Sequence, residues 1–225
     1  NIPFFPAAYH QGDQNFAIGL ESPRLLKAAF QNSESVRDAK VKLKELMEAK
    51  LATVEKIAIR VARNEHRKYS GMDVSPAPGL DASIGEAIET LSNVPFGAAS
   101  TLSACAAITD VLKELEIKTC GYSGLMLPVI EDKVLAKRAT EGRYTVQELL
   151  LYSSISGTGL DVIPLPGDTP KSLLAELLED LAALSVKLSN KPLSARLFLI
   201  PGKNVGEMAT FDNPYLTDCT VMSIE

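Results

Sequence analysis

The sequence is poor in the residues that most often carry specialised chemistry. It has no tryptophan, two histidines and three cysteines in 225 residues. Cys105, Cys120 and Cys219 are far apart and odd in number, which excludes a disulfide framework and a CxxC metal pattern. Such cysteine usage suits a reducing compartment, and we expect a cytoplasmic protein. A zinc site would need most of the histidines and cysteines to converge, so we assign no metal and leave the cofactor unknown.

Long apolar runs and a strong charge of either sign are also absent. No stretch approaches the roughly 20 apolar residues that a membrane helix requires, and no signal-peptide pattern is present. The net charge is −5, and the one basic cluster, RNEHRKY at 63–69, falls at the end of a helical pattern, where cations are favourable. The sequence therefore predicts neither a membrane nor a nucleic acid as partner.

What the sequence does contain is an alternation of helices and short strands. A hydrophobic content of 46% is enough for one sizeable core. Apolar residues at three- and four-residue spacing predict a long helix over about 33–67, and Thr145 with Glu148 forms a capping box for a later one. Strands are predicted near 71–74, 117–120, 161–164 and 195–200. The alternation predicts a single α/β domain over 1–225 with parallel strand pairs.

Polar side chains concentrate in the loops next to these strands. Because the carboxyl ends of parallel strands meet at one face of a sheet, loops far apart in sequence can share a cavity there. The catalytic candidates are Cys120, Asp73 and Glu131. The candidates for substrate binding are Ser75, Tyr122, Ser123, Thr158, Asp161, Arg196 and Lys203.

Several of these candidates have an equally good structural interpretation. Cys120 needs a base or a cation to become a thiolate, and is otherwise a small residue beside a turn. Glu131 can simply open the helix that follows it, where acids are favourable. Asp161 can begin its strand instead of ending it, which would place it at the opposite end of the sheet. The sequence leaves these alternatives open.

Several long phrases resemble a known family. They are PFFPAAYH, FAIGLES, GMDVSPAPGLDASIGEAIE, CGYSGLMLPVIED, LLLYSSISGTGLDVIPLPGDT and KPLSARLFLIPGK, and they run through nearly the whole chain. They resemble the DUF711 (UPF-type) family of uncharacterised proteins. The resemblance implies a fold similar to the pyruvate formate-lyase barrel, with ten strands in two five-stranded halves around a ligand space.

The resemblance also implies partners. Members are about twice as long, so the chain resembles a C-terminal half, and the N-terminal half of the same protein is the expected partner. The family further implies a homodimer and, in bacteria, a small ACT-type protein nearby. The run SARLFLI is almost continuously apolar, as in a strand buried on both sides, which predicts that another segment pairs with it.

Two functions remain open from the sequence. The first is an enzyme acting on a small anionic metabolite in the barrel interior. Glycyl radical chemistry is not expected, because no glycine stands in the arginine-containing context that marks the radical site. The alternative is a non-catalytic ligand-binding or regulatory protein that kept the pocket. A weaker third interpretation is a structural partner that assembles through the helix at 33–67.

Overall fold

The computed structural model describes residues 12–188 and 193–224, which form seven helices and six strands. In chain order these are β1 (Asn15–Gly19), α1 (Pro23–Phe30), α2 (Val36–Asn64), β2 (Lys68–Asp73), α3 (Ile84–Ser92), α4 (Thr101–Glu114), α5 (Lys133–Thr140), α6 (Val146–Ser156), β3 (Gly159–Pro166), α7 (Lys171–Lys187), β4 (Ser194–Ile200), β5 (Met208–Ala209) and β6 (Cys219–Thr220).

Four of the seven helices in the described residues, α2, α3, α5 and α6, begin where a capping side chain accepts from first-turn amides. The Ser35 hydroxyl accepts from the Asp38 N–H at the start of α2, so the long helix predicted over about 33–67 spans Val36–Asn64. The predicted capping box of Thr145 and Glu148 is confirmed at α6, with both reciprocal bonds present. These local signals are reliable because each depends on residues only three positions apart.

One buried carboxylate starts two helices at once. Asp132 accepts from the backbone N–H of Val134 and Leu135 in α5, at 2.9 and 3.0 Å. It also accepts from the Ser83 hydroxyl at 2.7 Å and from the Ile84 N–H at 2.6 Å, at the start of α3. Burial raises the pKa of Asp132, and its hydrogen bonds offset this rise only in part. The carboxylate therefore fixes α3 against α5, beside the cleft described below.

The strands form three separate pairs. β1 is parallel to β2, β3 is parallel to β4, and β5 is antiparallel to β6. The strand predicted near 117–120 is reduced to one parallel bridge, from Thr119 to Met72. The α/β class is confirmed, with parallel pairs and surrounding helices. The described residues contain no closed barrel, because each sheet has only two strands and closure requires a neighbour on both edges of every strand.

Each parallel pair contains a bulge. Phe16 faces Tyr69 and Ala17 faces Gly71, so β2 carries one extra residue, and Gly71 has a φ of 129°. In the second pair, Leu160 faces Ala195 and Ile163 faces Leu197, so two residues of β3 stand opposite one residue of β4. Bulges bend a strand and turn a side chain in a new direction.

The main core lies between the helices and the two parallel pairs. Its largest fully buried side chains include Phe96, Leu43 and Met72. The Phe96 ring meets the rings of Tyr144 and Tyr152 edge-on, at centroid distances of 5.0 and 5.4 Å. In the described part of the chain, no helix is both long and apolar enough to cross a membrane.

Candidate functional site

A cleft of about 540 Å³ is lined by residues from both parallel pairs and the loops that follow them. One wall is formed just after the carboxyl ends of β1 and β2, and the other by the first halves of β3 and β4. The polar side chains that line it are Glu21, Glu131, Lys133, Asp161, Arg196, Tyr215 and Thr217. The remaining walls are mostly proline, glycine and apolar side chains, including Pro78, Leu80 and Met126.

An ion-paired arginine forms the polar centre of this cleft. The two terminal nitrogens of Arg196 donate to the two carboxylate oxygens of Glu131, each at 3.1 Å. The Nε of Arg196 donates to Oδ1 of Asp161. Burial lowers the pKa of Arg196, and the two carboxylates outweigh this and raise it. The guanidinium is therefore held in one orientation by two acids from different segments.

The second oxygen of Asp161 is the one unusual atom of the cleft. Asp161 is 3% exposed, and its Oδ2 is buried without a hydrogen-bond partner among the described residues. Burial raises the pKa of this carboxyl, while its hydrogen bond and ion pair with Arg196 act in the opposite direction. A buried oxygen without a donor is costly in a folded protein, by about 1 to 3 kcal/mol. It is also an acceptor that a ligand can use.

The bulge of β3 places Asp161 opposite Arg196. Asp161 and Val162 together stand against the single residue Arg196 of β4. Val162 has a φ of 44°, which is unfavourable for a β-branched residue. Strained backbone of this kind costs about 1 to 3 kcal/mol and persists where the surrounding structure enforces it.

The loop cluster around Asp73 has the opposite character. Asp73 accepts from the Ser75 N–H and hydroxyl at 3.0 and 2.6 Å. It also accepts from the backbone N–H of Tyr122 and Ser123, at 2.9 and 3.0 Å. The Ser75 hydroxyl in turn accepts from the Gly124 N–H at 3.2 Å. Asp73 therefore ties the loop after β2 to the loop at 120–124.

Cys120 belongs to the same loop cluster. Its backbone N–H donates to the Met72 carbonyl at 2.8 Å, and its side chain is half-buried. Burial, followed by the negative charge of Asp73, raises the pKa of the thiol to about 11, although Lys118 lowers it. Cys120 is a thiol at neutral pH, which does not favour a thiolate nucleophile. Its catalytic role stays a prediction.

Tyr122 connects the loop cluster to the cleft. Its backbone N–H bonds to Asp73, and its side chain lies near Ser194, Asp161 and Arg196. Burial raises the pKa of the Tyr122 hydroxyl. The charges of Asp161 and Asp73 add to this rise, while a hydrogen bond with Ser194 and the charge of Arg196 oppose it.

The expected single cavity is thus not formed by all the candidate residues. Glu131, Asp161 and Arg196 line the cleft, but Lys203 does not. Arg196 is the third residue of β4, whereas Lys203 lies three residues beyond its last residue, Ile200, so the two are near opposite ends of the strand. Thr158 is buried, and its hydroxyl donates to the Leu125 carbonyl at 2.8 Å. In the second pair Asp161 and Arg196 lie in the first halves of β3 and β4, which is the alternative that the sequence left open for Asp161.

Sequence reasoning missed Lys133, which lines the cleft at the first position of α5. It has no ion-pair partner in the described part of the chain. Its position directly after Glu131 and Asp132 could have indicated it. We interpreted those acids as the start of a helix and did not consider Lys133. No set of three or more histidine, cysteine or acidic side chains suited to a metal ion occurs within residues 12–188 and 193–224.

These features define an α/β protein of two parallel strand pairs with a charged cleft between them. The chain belongs to the family described as Uncharacterised ACR (DUF711), whose sequence model matches residues 1–213. The resemblance read from the sequence is confirmed by this match.

The chain is similar to curated proteins that carry the name UPF0210 protein. It is 29% identical over 221 residues to the one from Pyrobaculum arsenaticum, covering 92% of this chain and 48% of the relative. It is 29% identical over 229 residues to the one from Limosilactobacillus reuteri, covering 93% and 49%. For Bifidobacterium longum subsp. infantis the values are 28% over 222 residues, 93% and 48%. The chain therefore spans about half the length of the curated relatives it matches.

Proposed function

We propose that the cleft binds a small anionic metabolite and that the protein is an enzyme that moves a proton on it. The observation that carries this proposal is the buried Oδ2 of Asp161, which lacks a partner among the described residues. A raised carboxyl pKa in a cleft is typical of a general base. Asp161 therefore takes the role of proton acceptor.

One cation of the cleft, Lys133, supports an anionic group on the ligand. Lys133 lines the cleft without an ion-pair partner in the described residues, so it is available to a carboxylate or phosphate. Arg196 is already paired with Glu131 and Asp161, and it contributes by fixing both acids. Glu131 then acts as a positioning residue, and Asp73 acts by holding the loop that carries Tyr122.

One observation favours the alternative, a ligand-binding protein without catalysis. The ion pair with Arg196 lowers the pKa of Asp161 and so weakens it as a base. A carboxylate held in this way can still accept a hydrogen bond from a bound ligand. Binding and turnover therefore have to be measured separately.

The experiment is a thermal-shift screen of the purified chain against small dicarboxylates, sugar phosphates and amino acids. We expect at least one anionic class to raise the melting temperature in a concentration-dependent way. Lys133→Gln should weaken this ligand at least about tenfold, because a charge-assisted hydrogen bond is lost. Lys137→Gln, one turn further along α5 and outside the cleft, is the matched control and should bind normally.

Turnover is then followed by NMR of the ligand that stabilises the protein. An enzyme converts or exchanges a proton of the ligand, and Asp161→Asn abolishes this exchange while binding persists. Binding without any exchange in the unchanged protein would support the alternative. A screen without hits, or equal losses in Lys133→Gln and Lys137→Gln, would contradict the proposed site.

We further propose that β4 pairs with a segment equivalent to the half of the relatives that this chain does not match. Phe198 and Leu199 are 39% and 40% exposed, although they are neighbours that point to opposite faces of the strand. Within the described residues β4 has only β3 as a neighbour. A two-stranded sheet is marginal alone, so an added strand would complete it, as in a barrel of the expected kind.

The purified 225-residue chain tests this second proposal. We expect it to bind a hydrophobic dye and to self-associate as its concentration rises. Leu199→Lys should reduce both, and Val186→Lys, an exposed apolar position on α7, should change neither. Coexpression with the unmatched half of the Limosilactobacillus reuteri relative should give a stable complex. A cooperatively unfolding monomer without dye binding would contradict the proposal, and a discrete dimer would favour a second copy.

A further inference from the structure

A second cavity lies far from the cleft along β2, at the end of α2. This basic groove has a volume of about 850 Å³ and is formed by residues 55–69 and 116–118. Its size falls in the range of pockets for drug-sized ligands, roughly 300 to 1,000 Å³. The proposed function makes no use of it.

The basic side chains of the groove come from three different segments. Arg63 is in the last turn of α2, and Arg67 lies in the turn that follows, where its N–H donates to the Ala62 carbonyl at 2.9 Å. Lys68 begins β2, and Lys118 comes from the segment that bridges β2. Cations are favourable in the last turn of a helix, and of these side chains only Arg63 lies there. Arg63, Arg67 and Lys68 have no ion-pair partner in the described residues.

The two acids of the groove, Glu55 and Glu116, are outnumbered by its four lysine and arginine side chains. The Glu55 carboxylate accepts from the Lys118 backbone N–H at 2.9 Å. The Glu116 carboxylate lies 3.9 Å from the Nζ of Lys44, which is outside the groove. The groove therefore keeps an excess of positive charge in a chain whose net charge is −5.

A buried hydroxyl and an apolar wall complete the groove. Tyr69 is 6% exposed and lines the groove, and its hydroxyl is buried without a hydrogen-bond partner among the described residues. Ile59, Ala62 and Ile117 supply apolar surface beside it. A ligand for this groove should therefore have an apolar face as well as negative charge.

We propose that the basic groove binds a nucleoside phosphate. The phosphates contact Arg63, Arg67 and Lys68, because a guanidinium matches two phosphate oxygens at once. The base lies on the apolar wall beside the phosphates. A polyanionic strand is a poorer fit, since the overall negative charge of the chain repels its flanking phosphates.

The test is fluorescence anisotropy of a methylanthraniloyl-labelled ATP with the full 225-residue chain. The unchanged protein should bind the probe, and salt should weaken the binding. Arg67→Gln should reduce the affinity at least about tenfold. Arg60→Gln, an exposed arginine on the same helix that does not line the groove, is the matched control and should bind within about twofold. Circular dichroism verifies that each variant is folded.

Competition identifies the ligand class. Displacement by ATP and more weakly by AMP, with none by adenosine, supports the proposal. Inorganic phosphate competing as well as ATP would overturn it, because the nucleoside would then contribute nothing. Tighter competition by a single-stranded oligonucleotide or an acidic peptide would also overturn it, in favour of a macromolecular partner. Absence of probe binding, or equal losses in Arg60→Gln and Arg67→Gln, would overturn it as well.

Discussion

The two parallel strand pairs accommodate a bulge with different residues. Each contains a bulge, and each bulge puts one residue into the left-handed half of backbone space. In the first pair this residue is Gly71, which adopts the conformation at little cost. In the second pair it is Val162, which does not. The strand pair with the strained backbone also contains Asp161, whose buried Oδ2 has no partner among the described residues.

The two buried aspartates near these bulges differ in how completely their carboxylate oxygens are hydrogen-bonded. Asp73 receives four hydrogen bonds from its own loop cluster, so its carboxylate is fully used by the fold. Asp161 receives one from Arg196 and keeps a buried oxygen unpartnered among the described residues. The carboxylate of Asp73 therefore serves the stability of the fold, whereas Asp161 keeps the oxygen that we propose for a ligand.

The largest expected loss of stability comes from disrupting the contact between β3 and β4. A Cβ on Gly159, which has a φ of 99°, would overlap the Ser194 carbonyl oxygen and approach the Ser194 nitrogen at 2.7 Å. Because both obstacles are backbone, Gly159→Ala should lower the free energy of unfolding by about 3 kcal/mol or more, measured by urea denaturation. Gly142→Ala also has a positive φ, of 64°, but open space, and should cost only about 1 to 2 kcal/mol. Equal costs would show that the β3–β4 contact is looser than described.

The next effect removes the charge of the stabilising aspartate. Asp73→Asn keeps the shape of the side chain but replaces an acceptor oxygen with a donor that faces backbone N–H groups. We expect a loss of about 2 to 3 kcal/mol in the free energy of unfolding, from urea denaturation. The exposed Asp180→Asn on α7 is the control and should change it by less than about 0.5 kcal/mol. A neutral Asp73→Asn would mean that the loop cluster does not depend on this carboxylate.

Local signals in the sequence predicted much of the fold. The capping box of α6 acts over three positions and was identified correctly, and the long helix predicted over about 33–67 is α2. The bulge at Asp161 was not predictable, since it depends on how β3 aligns with β4, more than 30 residues away. For the same reason Glu131, Asp161 and Arg196 were chosen individually, but their ion-paired arrangement and the exclusion of Lys203 required the register of the strands.

A smaller effect tests whether the loop cluster is chemically reactive. Because burial and Asp73 raise the pKa of Cys120 to about 11, we expect its alkylation by iodoacetamide at pH 8 to be roughly a hundredfold slower than that of free cysteine. The rate should climb with pH up to that value. Cys105, which is buried and has a pKa of about 12, is the internal control and should react more slowly still. Mass spectrometry after short exposures gives both rates. Alkylation of Cys120 faster than free cysteine would indicate a thiolate and return this residue to the candidate site.

The smallest expected effect on stability provides the most direct test of the central claim, that Asp161 is held for a ligand. Asp161→Asn keeps an acceptor for Arg196 and relieves a buried charge, so it should change the free energy of unfolding by less than about 1 kcal/mol. When both variants are measured by urea denaturation, we predict that Asp73→Asn loses at least twice as much free energy of unfolding as Asp161→Asn. Equal losses, or a larger loss for Asp161→Asn, would show that the Asp161 carboxylate is structural and would contradict the account.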